Sequence, residues 1–462
     1  MSNTLRTVSP VDGRIVAERA LAGGREIASA LQRARAAQRD WRAAPLDERC
    51  AILTRGGDAF VADGAAIAEE LTWQMGRPIR HAPGEVRGFE ERARHMIAIA
   101  PDALADIDPG DKPGFTRFIR RDPLGVVFVL APWNYPYLTA VNAIVPALLA
   151  GNAVVLKPSH QTPLTGERMA AACARGGLPA GLFQVLHLGH ADAERIMASD
   201  AVDFVAFTGS VAGGHAVQRA LAGRFVGAGL ELGGKDPAYV RADADLDAAV
   251  DGLVDGAFFN AGQSCCGIER IYVHEAVYRP FVDAYAALAA KYVLGNPTEA
   301  GTTLGPMART ALADVVRTQT AEAVAEGARA LIDPAAFSAD TGASPYLAPQ
   351  VLVDVTHGMR VMREESFGPV VGIMPVASDD EAVALMNDSE YGLTAAVYTR
   401  DETAAVALGA RVDTGTWFMN RCDYLDPALA WTGVKNSGRG CSLSRVGFEQ
   451  LTRPKSFHLR HA

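Results

Sequence analysis

Between residues 125 and 221 short, mainly apolar runs alternate with amphipathic stretches, and this alternation constrains the fold more than any other feature. The runs 125–131, 153–156, 183–186 and 204–207 are of strand length and rich in Val, Leu and Phe, as expected of strands covered on both faces. Residues 138–149, 165–174, 191–198 and 209–221 follow them in turn and read as helices. Strands joined by helices must lie parallel, so the expected class is α/β with a doubly wound sheet. Such sheets bind ligands beyond the carboxyl ends of their strands. After about residue 235 the pattern restarts, with strands at 271–273, 370–376 and 395–398 and helices at 278–292 and 381–386. Helical spacing also marks residues 25–75, where Ile27, Ala30, Leu31 and Ala34 recur, then Ile52, Leu53, Phe60 and Ile67. Two segments alternate instead, 115–120 and 454–459. They read as loose solvated strands, or as strands that pair across a subunit boundary.

Composition removes several classes of function. With 44 Lys and Arg against 53 Asp and Glu, the net charge is −9, which argues against a nucleic-acid surface. The six cysteines, Cys50, Cys173, Cys265, Cys266, Cys422 and Cys441, are too few and too irregular for a disulfide framework or a metal clip. The start, 1–10, has no charged segment leading into an apolar run, so no secretory signal is expected. The most apolar region, 126–155, is broken by Pro132, Asn134, Pro136, Asn142, Pro146 and Asn152, so no membrane span is expected. A reducing, cytoplasmic home follows.

Four segments carry residues suited to chemistry. In 258–267 Cys265 follows a Gly-Gln turn, where Gly262 permits close backbone approach and N–H groups can face a substrate carbonyl. A thiol there acts as a nucleophile only as thiolate; the alternative is a small buried hydrophobe. In 229–237 Glu231 sits within an apolar, glycine-rich run, and burial raises a carboxyl pKa as a general base requires. The alternative is a salt bridge near Lys235. In 131–136 Asn134 follows a strand and offers an amide donor suited to an oxyanion hole. In 207–214 Gly209 and Ser210 open a helix after a strand, a place for pyrophosphate, and Lys157 and Ser159 end another strand within reach of a ribose.

This set, in this order, resembles the aldehyde dehydrogenase superfamily. The nucleophile signature matches Phe258 to Cys265, the glutamate signature Leu230 to Lys235, and the Pro-Trp-Asn-aromatic-Pro loop residues 132–136. Segments 364–369 and 433–438, the opener 10–16 and the tail strand match as well, so the resemblance spans the chain. It implies Cys265 as nucleophile, Glu231 as the base that activates a deacylating water, and Asn134 with the Cys265 N–H as oxyanion hole. It implies NAD, with NADP as the other option, held by Trp133, Lys157, Ser159, His160, Gly209 and Ser210, by Leu232 beside the nicotinamide, and by Glu365 with Phe367 at its ribose. Tyr135, Thr139, Asn142, Ser264, Asp423, Leu425 and Trp431 line the implied substrate tunnel. The implied organisation is a Rossmann-type cofactor domain (1–104 and 124–232), a catalytic domain (233–435) and a small oligomerisation flap (105–123 and 445–462) in a homodimer or homotetramer.

The match departs at His160, where many NAD-preferring members carry Glu; a carboxylate there repels a 2′-phosphate, so relaxed cofactor choice leaning to NAD is expected. Cys266 beside the nucleophile is permitted by the family pattern. Asn142 replaces a bulky aromatic of several relatives. Arg421 or Arg270 is a candidate for a substrate carboxylate, as in semialdehyde oxidation, although relatives use an arginine at Arg270's position structurally; an aromatic or apolar aldehyde against Tyr135 and Trp431 is equally open. Two other readings compete: a CoA-acylating enzyme of the same fold, which commonly lacks the glutamate base, and a non-enzymatic protein keeping the fold.

Overall fold

The apolar runs of the first half become adjacent parallel strands of one sheet. In this computed structural model its spatial order is Gly438–Arg439, Gly227–Glu231, Phe204–Thr208, Val126–Leu130, Ala153–Lys157 and Phe183–Val185. All neighbours are parallel except the short edge strand Gly438–Arg439. Residues 4–461 are described; the first three residues of the start and Ala462 of the tail lie outside them. Chain order runs outward from Val126–Leu130 to Phe183–Val185, then returns through Phe204–Thr208 on the other side. The connections therefore reverse between Val126–Leu130 and Phe204–Thr208, and a crevice opens at that point beyond the carboxyl ends.

The helices Pro136–Leu149, Leu164–Arg175, His190–Ala198 and Val211–Leu221 follow their strands as expected. The amino-terminal region forms Gly24–Trp41, Leu46–Ala62, Gly64–Met75 and Pro83–Ala103, which bury Ile27, Phe60, Phe89 and Met96 in the same core. Pro83–Ala103, absent from the sequence reading, packs against Pro136–Leu149.

The second sheet runs Arg329–Ala330, Gln350–Val353, Val370–Val376, Ile268–His274, Asp236–Val240, Thr394–Tyr398 and Thr416–Met419, parallel apart from its first strand. Separate apolar clusters fill its two faces, one around Ile271 and Val371, the other around Tyr272 and Leu352. The helix expected at 278–292 is Glu275–Ala289, because the His274 imidazole caps it by accepting from the Ala276 N–H at 3.2 Å.

The two alternating segments are not loose. Thr452–Arg460 pairs antiparallel with Phe115–Pro123 along its whole length, and Phe118 stacks on Phe457 with ring centroids 4.4 Å apart. Among the described residues no helix is long and apolar enough to cross a membrane.

Candidate active site

Cys265 is presented by a strained turn. Leu246–Phe258 ends just before it, and Asn260, Ala261 and Gly262 then take left-handed φ values of 55°, 56° and 67°. Such a run is costly for L-residues and persists only where surrounding contacts hold it. Here Gln263 Nε2 donates to Asn260 O (3.0 Å), Asn260 Nδ2 to Gln263 O (3.2 Å), and the Ala308 N–H to Gln263 Oε1 (2.8 Å). A Cβ on Gly262 would lie 2.3 Å from Gly368 O, so only glycine fits. The turn delivers Cys265 to the wall of a cavity of about 380 Å³, which Glu231, Tyr135, Thr139, Asn142, Ser264, Asp423, Leu425 and Trp431 also line. Its backbone N–H finds no acceptor among the described residues.

Asn134 lies between Val126–Leu130 and Pro136–Leu149, where the chain leaves the sheet's carboxyl edge. Its Nδ2 donates to Gln263 O at 3.1 Å, which spends one amide hydrogen and leaves the second free. Its carbonyl accepts from Asn260 Nδ2 (3.3 Å) and from Arg77 Nη2. Arg77 also donates to Asn260 Oδ1 at 3.1 Å and forms a buried ion pair with Glu85 at 3.4 Å. Sequence reading missed Arg77, Glu85, Asn260 and Gln263. Asn260 and Gln263 stand in the segment that carries Cys265, which was the available signal for them; nothing in the sequence pattern signals the burial of Arg77 and Glu85.

Glu231 ends its strand, accepting from Ser442 Oγ and from Thr208 Oγ1 at 3.3 Å. Loss of water around it raises its pKa above the carboxylate range, against those two hydrogen bonds and the charge of Arg92. The alternative of a salt bridge with Lys235 fails, since Lys235 pairs with Glu269 in the interior. Cys266 is buried and donates to Asp423 Oδ1 at 2.9 Å, beside Ser264 Oγ at 3.0 Å. Its hydrogen bond with Cys265, and burial, push its thiol well up. Burial likewise raises the thiols of Cys50 and Cys441, and those of Cys173 and Cys422 to about 12.

A second hollow opens at the reversal point of the first sheet, where Leu130, Ala131, Phe207 and Thr208 form its floor. Trp133, Lys157, Ser159, His160, Gly209 and Ser210 all line it. Lys157 is buried, its Nζ reaches only Pro158 O at 3.5 Å, and burial brings its pKa down to about 8. Ser210 caps Val211–Leu221 by accepting from the Gly213 N–H at 3.2 Å. His160 is fixed by Nε2 on Leu188 O at 2.8 Å, and burial lowers its pKa.

Leu232, Glu365 and Phe367 line neither hollow. Leu232 is buried, and a Cβ on Gly214 would lie 2.7 Å from it. Phe367 meets the Trp133 ring edge-on at 5.6 Å. Glu365 Oε1 accepts the Gly234 N–H at 3.1 Å, and burial pushes its pKa up to about 8. Glu269 holds this segment by accepting the Ser366 and Phe367 N–H groups, each at 2.9 Å. Arg270 donates to Lys235 O, Leu385 O and Met386 O and is walled off from the cavity. Arg421 is exposed and stacks on Tyr424 at 3.5 Å.

A sequence profile described as the aldehyde dehydrogenase family matches residues 1–457. The chain is 34% identical over 445 residues to a succinate semialdehyde dehydrogenase [NAD(P)+] of Escherichia coli strain K12, covering 96% of each chain. It is 36% identical over 434 residues to geranial dehydrogenase of Castellaniella defragrans, covering 93% of this chain and 90% of the relative. The solved structure of succinic semialdehyde dehydrogenase from Streptococcus pyogenes, in complex with NADP+ as the cofactor, superposes with a TM-score of 0.94 at 26% identity, covering 99% of this chain and all of that one. Fold, paired hollows and match along nearly the whole length agree, and the chain belongs to the aldehyde dehydrogenase family.

Proposed function

We propose that this chain oxidises an aldehyde to a carboxylic acid through a thioester on Cys265, with NAD or NADP in the second hollow. The observation that carries this reading is that Cys265 and Glu231, from different sheets, line one cavity while Asn134 is hydrogen-bonded to the Cys265 turn. The Cys265 thiolate adds to the aldehyde carbon. The resulting alkoxide accepts from the free Asn134 amide hydrogen and the unpaired Cys265 N–H, donors already oriented before charge develops. The nicotinamide, when bound, supplies the oxidant for that carbon. Glu231 then takes a proton from water, which attacks the thioester and releases the carboxylate and the Cys265 thiolate; one difficult step becomes two easier ones.

The donor set of the second hollow fits a dinucleotide. Among the described residues the Lys157 ammonium has no carboxylate partner, Ser210 opens a helix whose N-terminus favours phosphate, and position 160 carries His in place of a carboxylate that would repel a 2′-phosphate. The relatives include an enzyme named for NAD(P)+ and one solved with NADP+. The ribbon of 115–123 and 452–460 is proposed as the oligomerisation flap, since a lone two-stranded ribbon is marginal without a further packing partner. The division into a cofactor domain (1–104 with 124–232) and a catalytic domain (233–435) is proposed on the strength of the two separate sheets.

Glu231 disfavours the CoA-acylating alternative. The test is NAD(P)H production from a panel of aldehydes with free acid as product. Cys265→Ala abolishes it; strict dependence on CoA would overturn the reading.

A further inference from the structure

The helix Pro83–Ala103 buries Val86, Phe89, Ala93, Met96 and Ala100 at helical spacing, and Arg92 stands within that apolar face at 7% exposure. A guanidinium taken out of water is costly unless paired. Its neighbour Arg77 has Glu85 at 3.4 Å, but among the described residues Arg92 has no carboxylate within ion-pair distance. It makes two hydrogen bonds, both through Nη1: to Leu138 O at 2.6 Å and to Asn142 Oδ1 at 3.3 Å. Its Nε and Nη2 donate to no group among the described residues.

Arg92 lines the same cavity as Cys265. By drawing on Asn142 Oδ1 it orients that amide, whose Nδ2 is buried and without a partner; the Tyr135 hydroxyl on the same cavity is also unpartnered. Buried polar groups are rarely left so. The acids nearby are already served: Glu85 by Arg77, Asp423 by Ser264 and Cys266, Glu231 by Ser442 and Thr208, Glu91 by the Tyr424 hydroxyl. Asp255 lines the cavity as well, and among the described residues none of these five carboxylates comes within ion-pair distance of Arg92. A carboxylate supplies two oxygens, for the Arg92 fork and the Asn142 amide. A hydroxyl would meet the hydrogen bonds and leave the cation unpaired.

We propose that Arg92 and Asn142 receive a carboxylate at the far end of the substrate, so that the preferred substrates are ω-carboxy aldehydes. This rests on the reading of Cys265 and Glu231 above. Arg92 replaces Arg421 and Arg270, the candidates raised by the sequence, neither of which reaches the cavity.

The experiment measures kcat/KM for short ω-carboxy aldehydes of several lengths and for alkanals of matching length. The wild type is expected to favour the charged series by about 100-fold or more, as sites built to pair a buried polar group do. In Arg92→Gln that ratio is expected to collapse by about 100-fold, chiefly through KM. Asn142→Asp, which sets a like charge beside the carboxylate, should lower the same ratio. It gives a second reading should Arg92→Gln fail to fold. Dicarboxylates should raise the melting temperature of the wild type and compete with the aldehyde. A wild type without preference for the charged series overturns the proposal, as does an Arg92→Gln variant that lowers both series in proportion, the mark of a role in packing or in tuning Glu231. Turnover of alkanals without that preference defeats this inference alone; no turnover of any aldehyde defeats the underlying reading.

Discussion

Replacing Glu231 with Gln keeps the shape of the side chain and its Ser442 and Thr208 neighbours, and removes only the ability to take a proton. Acylation of Cys265 does not use that proton acceptor, so the first turnover should proceed. Rapid mixing with NAD(P) and aldehyde should show a burst of about one equivalent of reduced cofactor per site, followed by a slow phase. Loss of general base catalysis lowers a step by about 10²–10⁴-fold, or roughly 3–5 kcal/mol, and the slow phase should fall by that amount. The wild-type slow phase should rise with pH through the Glu231 pKa, which desolvation holds above the ordinary carboxylate value, because only the ionised form is a base. That limb should vanish in the variant. Stability offers a second readout. A carboxyl whose pKa is raised by folding holds its proton more tightly in the native state, so stability falls as pH climbs from the unfolded pKa towards the folded one. Glu231→Gln should therefore melt no lower than wild type at neutral pH. Undiminished steady-state turnover, or loss of the burst with turnover, would refute the assignment.

Three further outcomes follow from the same geometry. Gly262→Ala meets Gly368 O at 2.3 Å with φ at +67°, so thermal melts should show a loss of about 1–3 kcal/mol and burst amplitude should drop as the Cys265 turn shifts. Lys235→Met leaves Glu269 buried and uncompensated; a loss of about 3–5 kcal/mol is expected by denaturant titration, with weaker cofactor binding by fluorescence titration as residues 366–367 loosen. His160→Glu places a carboxylate in the second hollow, and the ratio of kcat/KM for NADP over NAD should fall at least about tenfold, while an unchanged ratio would remove His160 from cofactor choice.

The sequence made four of the six strands of the first sheet legible because each is a short apolar run followed by a periodic helix, whereas the glycine-rich Gly227–Glu231 and the two-residue Gly438–Arg439 show no such run. The second sheet was read only in part. Asp236–Val240 begins with an acid that turns out to be buried and bonded to Thr394, and Thr416–Met419 is a half-buried edge, so neither shows a plain strand pattern. Pro83–Ala103 escaped notice because Glu85 and Arg92 interrupt its apolar face. Those interruptions are the charged groups that shape the cavity. Cys265, Glu231 and Asn134 were singled out because each lies in a turn or strand end whose residue types are chemically unusual. Arg77 sits in the loop after Gly64–Met75 and Arg92 in the helix Pro83–Ala103, places where an arginine is ordinary until its burial is known.

The placement of Asn134 shows what the two-sheet arrangement does for the chemistry. Asn134 and Glu231 leave the first sheet at the carboxyl ends of its strands, whereas the Cys265 turn belongs to the chain that enters the second. Nothing local to either unit sets the distance between Cys265 and Asn134. It is set by the hydrogen bonds that cross the junction: Asn134 Nδ2 to Gln263 O, Asn260 Nδ2 to Asn134 O, and Arg77 to both Asn260 and Asn134. Asn134 thus gives up one of its two amide hydrogens to hold position and keeps the other for the alkoxide of the proposed reaction. An oxyanion donor free on both hydrogens would offer more hydrogen bonds and less orientation, and preorganised orientation is what lowers the barrier when the alkoxide forms. The left-handed run at Asn260–Gly262 follows from the same demand: the turn must bring the Gln263 carbonyl and the Cys265 thiol to one side of the junction, and no regular element does so.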